Sequence, residues 1–191
     1  MWSTPTLLLA AAALLSSLTR VEAICLTDAN ADLVANNFAT LFSNYSEAFA
    51  NKTLAVDYTD QTDSVSWLIS NGTACSKPLG ALSFSSRAGL EAAQAMQPNL
   101  PFVVENIFHD CTNVFIRWEF DVKPQQVQGI AILQTVPNTQ CEEEAESQPY
   151  LIKNVFSEFN TAAFITKPWI LSWHLSLWCG SQMETYLVSL T

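Results

Sequence analysis

Positive charge is what this chain has least of. Lys and Arg together number 8 against 18 Asp and Glu, for a formal net charge of -10. A surface of that sign repels phosphate backbones, which excludes a nucleic-acid partner. It gives no purchase on an anionic membrane surface either. Glycine is scarce as well, with 5 in 191 residues. No glycine-rich phosphate loop, dinucleotide fingerprint or GxSxG nucleophile elbow is present. Two histidines and scattered carboxylates make no metal-ligand set, and nothing implies a cofactor. The apolar run Leu7–Leu15 is shorter than the ~20 residues a membrane span needs. The cysteine spacings match neither a zinc signature nor a CxxC redox pair.

What is present points to one packed, exported domain. Hydrophobic residues make up 49% and charged residues 14%, ample for a core. Leu7–Leu15 followed by Val21-Glu22-Ala23 reads as a signal peptide cleaved after Ala23, although Met1–Thr6 carries no basic residue. The domain is therefore expected over residues 24–165, with 1–23 removed. Three sequons, at Asn44, Asn51 and Asn71, suit a glycoprotein. Asn51 and Asn71 are expected in loops, Asn44 in a helix. Cys25, Cys75, Cys111, Cys141 and Cys179 survive cleavage and suit disulfides in an oxidising compartment. Five is odd, and spacing alone does not fix the pairing.

Periodicity gives helices first and a sheet afterwards. Leu33, Val34, Phe38, Leu41, Phe42, Tyr45 and Phe49 recur at helical spacing, predicting one helix from Asp28 to about Phe49. Leu54–Thr62 reads as a short strand or loop, and Asp63–Ser70 as one or two helical turns. Ser85 or Ser86 is positioned to cap a helix running to about Gln97, with Leu90, Ala93 and Met96 inward. Four β-rich runs follow: Pro101–His109, Asn113–Asp121, Val127–Val136 and Tyr150–Asn160. In the second, Val114, Ile116, Trp118 and Phe120 alternate with Phe115, Arg117, Glu119 and Asp121. In the first, Phe102, Val104 and Phe108 are expected on one face, away from Glu105 and His109. Asn138–Gln148, with Glu142, Glu143, Glu144 and Glu146, reads as a solvated loop. This order predicts α+β architecture, with helices on one face of an antiparallel sheet. Residues 166–191, with Pro168–Cys179 rich in Trp and Leu, read as an atypical C-terminal extension.

The segments CLTDANADLVANNF (25–38), VDYTDQTDSVSWLI (56–69), FSSRAGLEAAQAMQPNLPF (84–102), NIFHDCTNVFIRWEF (106–120), VQGIAILQTV (127–136) and PYLIKNVFSEFNTAAF (149–164) resemble the nuclear transport factor 2-like superfamily. They are most similar to its secreted fungal members. The resemblance implies a cone: a curved antiparallel sheet wrapped around the long N-terminal helix, open at one end. It further implies a small apolar ligand in the cone. The alternatives are a cofactor-free lyase or isomerase of the scytalone dehydratase or polyketide cyclase type, and a protein-interaction module that dimerises through its sheet face.

Enzymes of that kind use a few polar groups inside an apolar cone. Asp57, Tyr58 and Asp60 fall where the first strand should line the mouth. Asp57, Asp60 and His109 are the candidate bases; Tyr58, Trp67, Glu105, Arg117 and Trp118 are candidate pocket residues. Each has a structural alternative. His109 adjoins a predicted turn, Arg117 and Glu105 suit a cross-strand ion pair, and Trp67 and Trp118 suit the core. Asp63 suits a helix cap, and Glu158 is a further carboxylate of interest.

Overall fold

A computed structural model describes residues 25–70, 78–121, 123, 126–139 and 142–165. The expected signal peptide, Asn71, Cys75, Cys141 and the segment 166–191 with Cys179 lie outside the described residues. The elements are helices α1 (Asp28–Ser43), α2 (Glu47–Thr53), α3 (Asp63–Ser70), α4 (Arg87–Gln94), α5 (Glu142–Ser147) and α6 (Thr161–Ile165), with strands β1 (Leu54–Gln61), β2 (Phe102–His109), β3 (Asn113–Phe120), β4 (Val127–Pro137) and β5 (Tyr150–Phe159).

The predicted N-terminal helix is two helices. Thr27 caps α1 by accepting from the Asn30 amide. At the other end Asn44 leaves helical geometry, and Ser46 starts α2 by accepting from the Phe49 amide. A serine that binds the backbone two to three residues ahead restarts the chain in a new direction. Ser86 caps α4 in the same way through the Gly89 amide. Met96 lies beyond the end of α4 and is exposed, not inward. Glu142–Ser147 forms a helix where a loop was expected.

The five strands form one sheet in the order β1-β5-β4-β3-β2. β2, β3, β4 and β5 run antiparallel to their neighbours, while β1 lies parallel to β5 at the edge. The sheet is therefore antiparallel-rich and mixed. Register shifts interrupt the β1/β5, β2/β3 and β4/β5 ladders, with the extra residues in β1, β2 and β5. An extra residue in one strand increases local bend and twist, and three such sites give the sheet its curvature. α1 packs across the concave side, burying Val34, Ala35, Phe38 and Leu41. Phe38 and Phe42 meet Phe102, with ring centroids 5.7 and 5.3 Å apart.

The β3 alternation holds: Val114, Ile116, Trp118 and Phe120 are all buried. The β2 alternation does not. The shift between Val104 and Asn106 makes Glu105 the extra residue and reverses the faces after it. Phe102 is buried and Phe108 is 67% exposed on the outer face.

A disulfide joins Cys25 to Cys111, and the Leu26 amide donates to the Cys111 carbonyl at 3.1 Å. Together they tie the start of α1 to the β2–β3 turn.

Candidate functional site

The strand registers lay out the concave face row by row. One row runs Asp60, Val155, Leu133, Val114; the next continues Ser157, Ala131, Ile116; the third runs Phe159, Gly129, Trp118. Hydrocarbon dominates. Phe102, Trp118, Phe120, Phe159 and Phe164 form one continuous aromatic cluster: Trp118 stacks on Phe102 at 4.8 Å, and Phe164 meets both Phe120 and Phe159. Gly129 lies under the Trp118 indole. A Cβ there would sit 2.4 Å from the ring and 2.8 Å from the Glu158 carbonyl. The missing side chain is what lets the indole lie flat.

Into this surroundings β1 projects two polar groups. Tyr58 and Asp60 are two residues apart and so share a face. Tyr58 is 1% exposed and Asp60 5%. The Tyr58 hydroxyl donates to Asp60 Oδ2 at 3.1 Å. Asp60 Oδ1 has no hydrogen-bond partner, and neither has Trp118 Nε1. The backbone around Asp60 is fully engaged: its amide donates to Phe84 O, and its carbonyl accepts from the Ser83 and Phe84 amides. That pins the carboxyl in place. Burial raises the Asp60 pKa to about 7; the Tyr58 hydrogen bond opposes this, and the negative charge of Glu158 adds to it. Burial also holds the Tyr58 hydroxyl well above its ordinary value. A carboxyl poised near neutrality, with one free oxygen, can accept a hydrogen bond, donate one, or move a proton.

Glu158 acts from the next strand. It accepts from the amides of Asp63 and Ser64, at 2.8 and 3.0 Å, and from the Ser64 hydroxyl. This is a cap on α3, delivered from β5, with a charge that suits the positive end of the helix. Glu158→Gln should therefore do two things. Urea denaturation should read a loss of about 1–2 kcal/mol from the weakened cap. Carboxyl NMR should read a lower Asp60 pKa, because a neighbouring anion has gone.

The remaining candidates lie elsewhere. Asp57 has the opposite parity to Tyr58 and Asp60. It faces solvent and pairs with Lys153 at 2.9 Å, whose hydrogen bond lowers its pKa. His109 pairs with Asp28 at the start of α1, Nε2 to Oδ1 2.8 Å; that bond raises its pKa. Glu105 is exposed at the β2 bulge. Arg117 is on the outer face opposite Asn106 and Ile130, and Trp67 is 45% exposed on α3. Of the candidates, the structure brings together Tyr58 and Asp60, which are hydrogen-bonded; Trp118 shares their face of the sheet but lies three strands away. The role of Glu158 had no local signal: it accepts from the Asp63 and Ser64 amides across 94 to 95 residues of sequence.

The outer face carries a different feature. Phe108, Phe115, Ile132 and Phe156 are cross-strand neighbours in one row. Phe108, Ile132 and Phe156 are exposed, as is Ile130 in the adjacent row. On one side the stripe is bordered by amides, with Asn154 bonded to Gln134 and Thr59. On the other lies an open groove of about 380 Å³ bounded by Arg117, Ile130, Glu158 and Asn160.

Among the described residues no helix is long and apolar enough to cross a membrane, and no cluster of His, Cys, Asp and Glu could hold a metal.

Residues 24–167 match the NTF2-like domain family. The chain belongs to that family. Its α+β cone is the family's architecture, and the family assigns no single activity to it. No curated protein is detectably similar in sequence. Among solved structures, a SnoaL-like protein of unknown function from Burkholderia thailandensis superposes with a TM-score of 0.50 at 11% identity, over 71% of this chain and 98% of that one. A putative ketosteroid isomerase from Kribbella flavida gives 0.48 at 13% identity, over 69% and 78%. A protein of ketosteroid isomerase-like fold from Catenulispora acidiphila, in complex with trimethylamine, gives 0.46 at 12% identity, over 70% and 90%.

Proposed function

We propose that this NTF2-like domain binds a small, mostly apolar molecule on the concave face, with Asp60 holding its polar end. One observation carries the reading. In a face built of aromatic and aliphatic side chains, a buried carboxyl keeps one oxygen without a partner. Burying an unpaired polar oxygen is costly, and a ligand donor at that position offsets the cost. Tyr58 holds the other oxygen and fixes the direction of the free one.

The second reading is a cofactor-free lyase or isomerase. It is favoured by the Asp60 pKa of about 7, which suits a general base at neutral pH. Here Asp60 takes the catalytic role, in preference to Asp57 or His109, because it alone of the three is buried. A homodimer or protein partner on the outer face is favoured by the exposed Phe108–Phe115–Ile132–Phe156 row, since an apolar centre with a polar rim is the make-up of interfaces.

Export, cleavage after Ala23 and glycosylation complete the proposal. Asn44 is the better acceptor of the two described sequons: it is exposed at the end of α1, whereas Asn51 is within α2 and its Thr53 hydroxyl is buried and bonded to Phe49 O. The segment 166–191 is proposed as an extension to the domain.

Native mass spectrometry of the protein secreted by a eukaryotic host reads all of this at once. The expected spectrum shows a polypeptide beginning at Ile24, a glycan on Asn44, and a small non-covalent adduct that Asp60→Ala abolishes. A chain still beginning at Met1 would contradict cleavage after Ala23; no adduct and no uptake of added hydrophobic compounds would contradict the ligand reading.

A further inference from the structure

The ionic surroundings of Asp60 narrow the ligand further than shape does. We propose, resting on the ligand-binding reading, that the concave face selects an apolar amine: a protonated nitrogen set against Asp60 Oδ1 and an aromatic or aliphatic body laid over Ser157 and Ala131 toward Trp118.

The first observation is the charge inventory. Asp60 is 95% buried by its 5% exposure, with one oxygen filled by Tyr58 and one empty. None of the described Lys or Arg side chains forms an ion pair with it. Arg87 bonds the Asn51 and Leu54 carbonyls and approaches Glu91. Lys153 is taken by Asp57. Arg117 reaches Asn106 on the outer face, and Lys52 and Lys123 are exposed. Tyr58, on its own strand, bonds Asp60, and Glu158 on β5, which faces the outer side of the sheet, adds only the reach of its negative charge. Asp63, at the start of α3, turns to the Gly80 amide. Among the described residues the field at the free oxygen is thus negative and uncompensated, and a buried carboxylate is retained only when paired. A cationic ligand supplies both the charge and the hydrogen that the described side chains withhold.

The second observation is the lining. Between Asp60 and Trp118 the concave face carries the small side chains Ser157 and Ala131, while the Trp118 indole itself covers Gly129. Beyond them stand Trp118, Phe159 and Phe102. Aromatic faces attract cations, most of all when desolvated. A net charge of -10 further enriches cations at the surface and speeds their arrival. A carboxylate ligand meets the opposite conditions at every step.

Three probes of nearly equal shape separate the possibilities: benzylamine, benzyl alcohol and ethylbenzene, titrated calorimetrically into the full chain at pH 8. Benzylamine should bind about tenfold more tightly than either neutral compound. Asp60→Asn should erase that preference, bringing benzylamine to the affinity of the neutral compounds. At pH 6, where Asp60 in the free protein is mostly protonated, benzylamine binding should release up to about one proton, read from buffers of different ionisation enthalpy. This last readout needs no variant. Equal binding of all three probes, a preference that survives Asp60→Asn, or no proton release would each overturn the amine proposal and leave apolar binding standing. Failure of every probe to bind would overturn both readings together.

Discussion

Asp60→Asn removes most of the pH dependence of stability between about pH 4 and pH 7. The sign follows from the direction of the shift. In the unfolded chain Asp60 ionises near 3.8, and in the folded chain near 7. Below 3.8 both states hold the proton, and the full stability is present. Above that value the unfolded chain gives up its proton while the folded chain keeps it, so stability falls as pH rises. The fall levels off once the folded carboxyl has ionised, above about pH 7. Three pKa units correspond to about 4 kcal/mol, an upper figure for one group. Urea denaturation at a series of pH values should show the wild-type chain losing a few kcal/mol across that window. The Asn variant should run nearly flat there, and the two curves should converge in acid. Parallel curves would mean that Asp60 is solvated in the folded chain.

The second large effect is at the disulfide. Cys25 and Cys111 are 86 residues apart in sequence, and closing a loop of that length removes much entropy from the unfolded chain. The chain-entropy estimate exceeds 4 kcal/mol, and about 3 kcal/mol is a reasonable expectation for the Cys25→Ser, Cys111→Ser pair. In a domain of this size that lowers Tm by about 10 °C. The loss has a local counterpart. The bond, together with the Leu26–Cys111 backbone contact and the Asp28–His109 pair, anchors the start of α1 at the β2–β3 turn. Hydrogen exchange should rise first in the opening turn of α1, ahead of β4 and β5. Unchanged melting of the double variant would show that packing alone sets the helix position.

Much of the architecture was legible because its signals are local. Clean alternation over Asn113–Asp121 is enough to put Trp118 inside. Ser86 and the apolar stripe of α1 were equally readable. The failures have a common cause. The β2 bulge at Glu105 inverts the faces of everything after it, and no pattern in the residues announces it. That is why Phe108 was expected with Phe102 and is found on the other side. The apolar period of α1 runs on through Tyr45 and Phe49, which masked the break at Asn44; the Ser46 cap was the available clue. β1 read as strand or loop because its inward residues are Tyr58 and Asp60 rather than hydrocarbon, and its parallel partner is almost 100 residues away.

The site divides along the same line. Strand parity alone separates Asp57 from Tyr58 and Asp60, so the three could never line one face together. The unpartnered Oδ1 and the reach of Glu158 to the α3 start depend on contacts between residues 94 or more apart. Those are properties of packing, invisible in sequence order.

The central claim is that a buried, half-satisfied carboxyl stands on the concave face. Carboxyl-carbon NMR of aspartate-labelled protein, titrated from pH 3 to pH 9 and assigned with Asp60→Asn, measures it directly. The account predicts a titration midpoint for Asp60 near 7, far from the other aspartates. A midpoint near the ordinary 3.8 would contradict it.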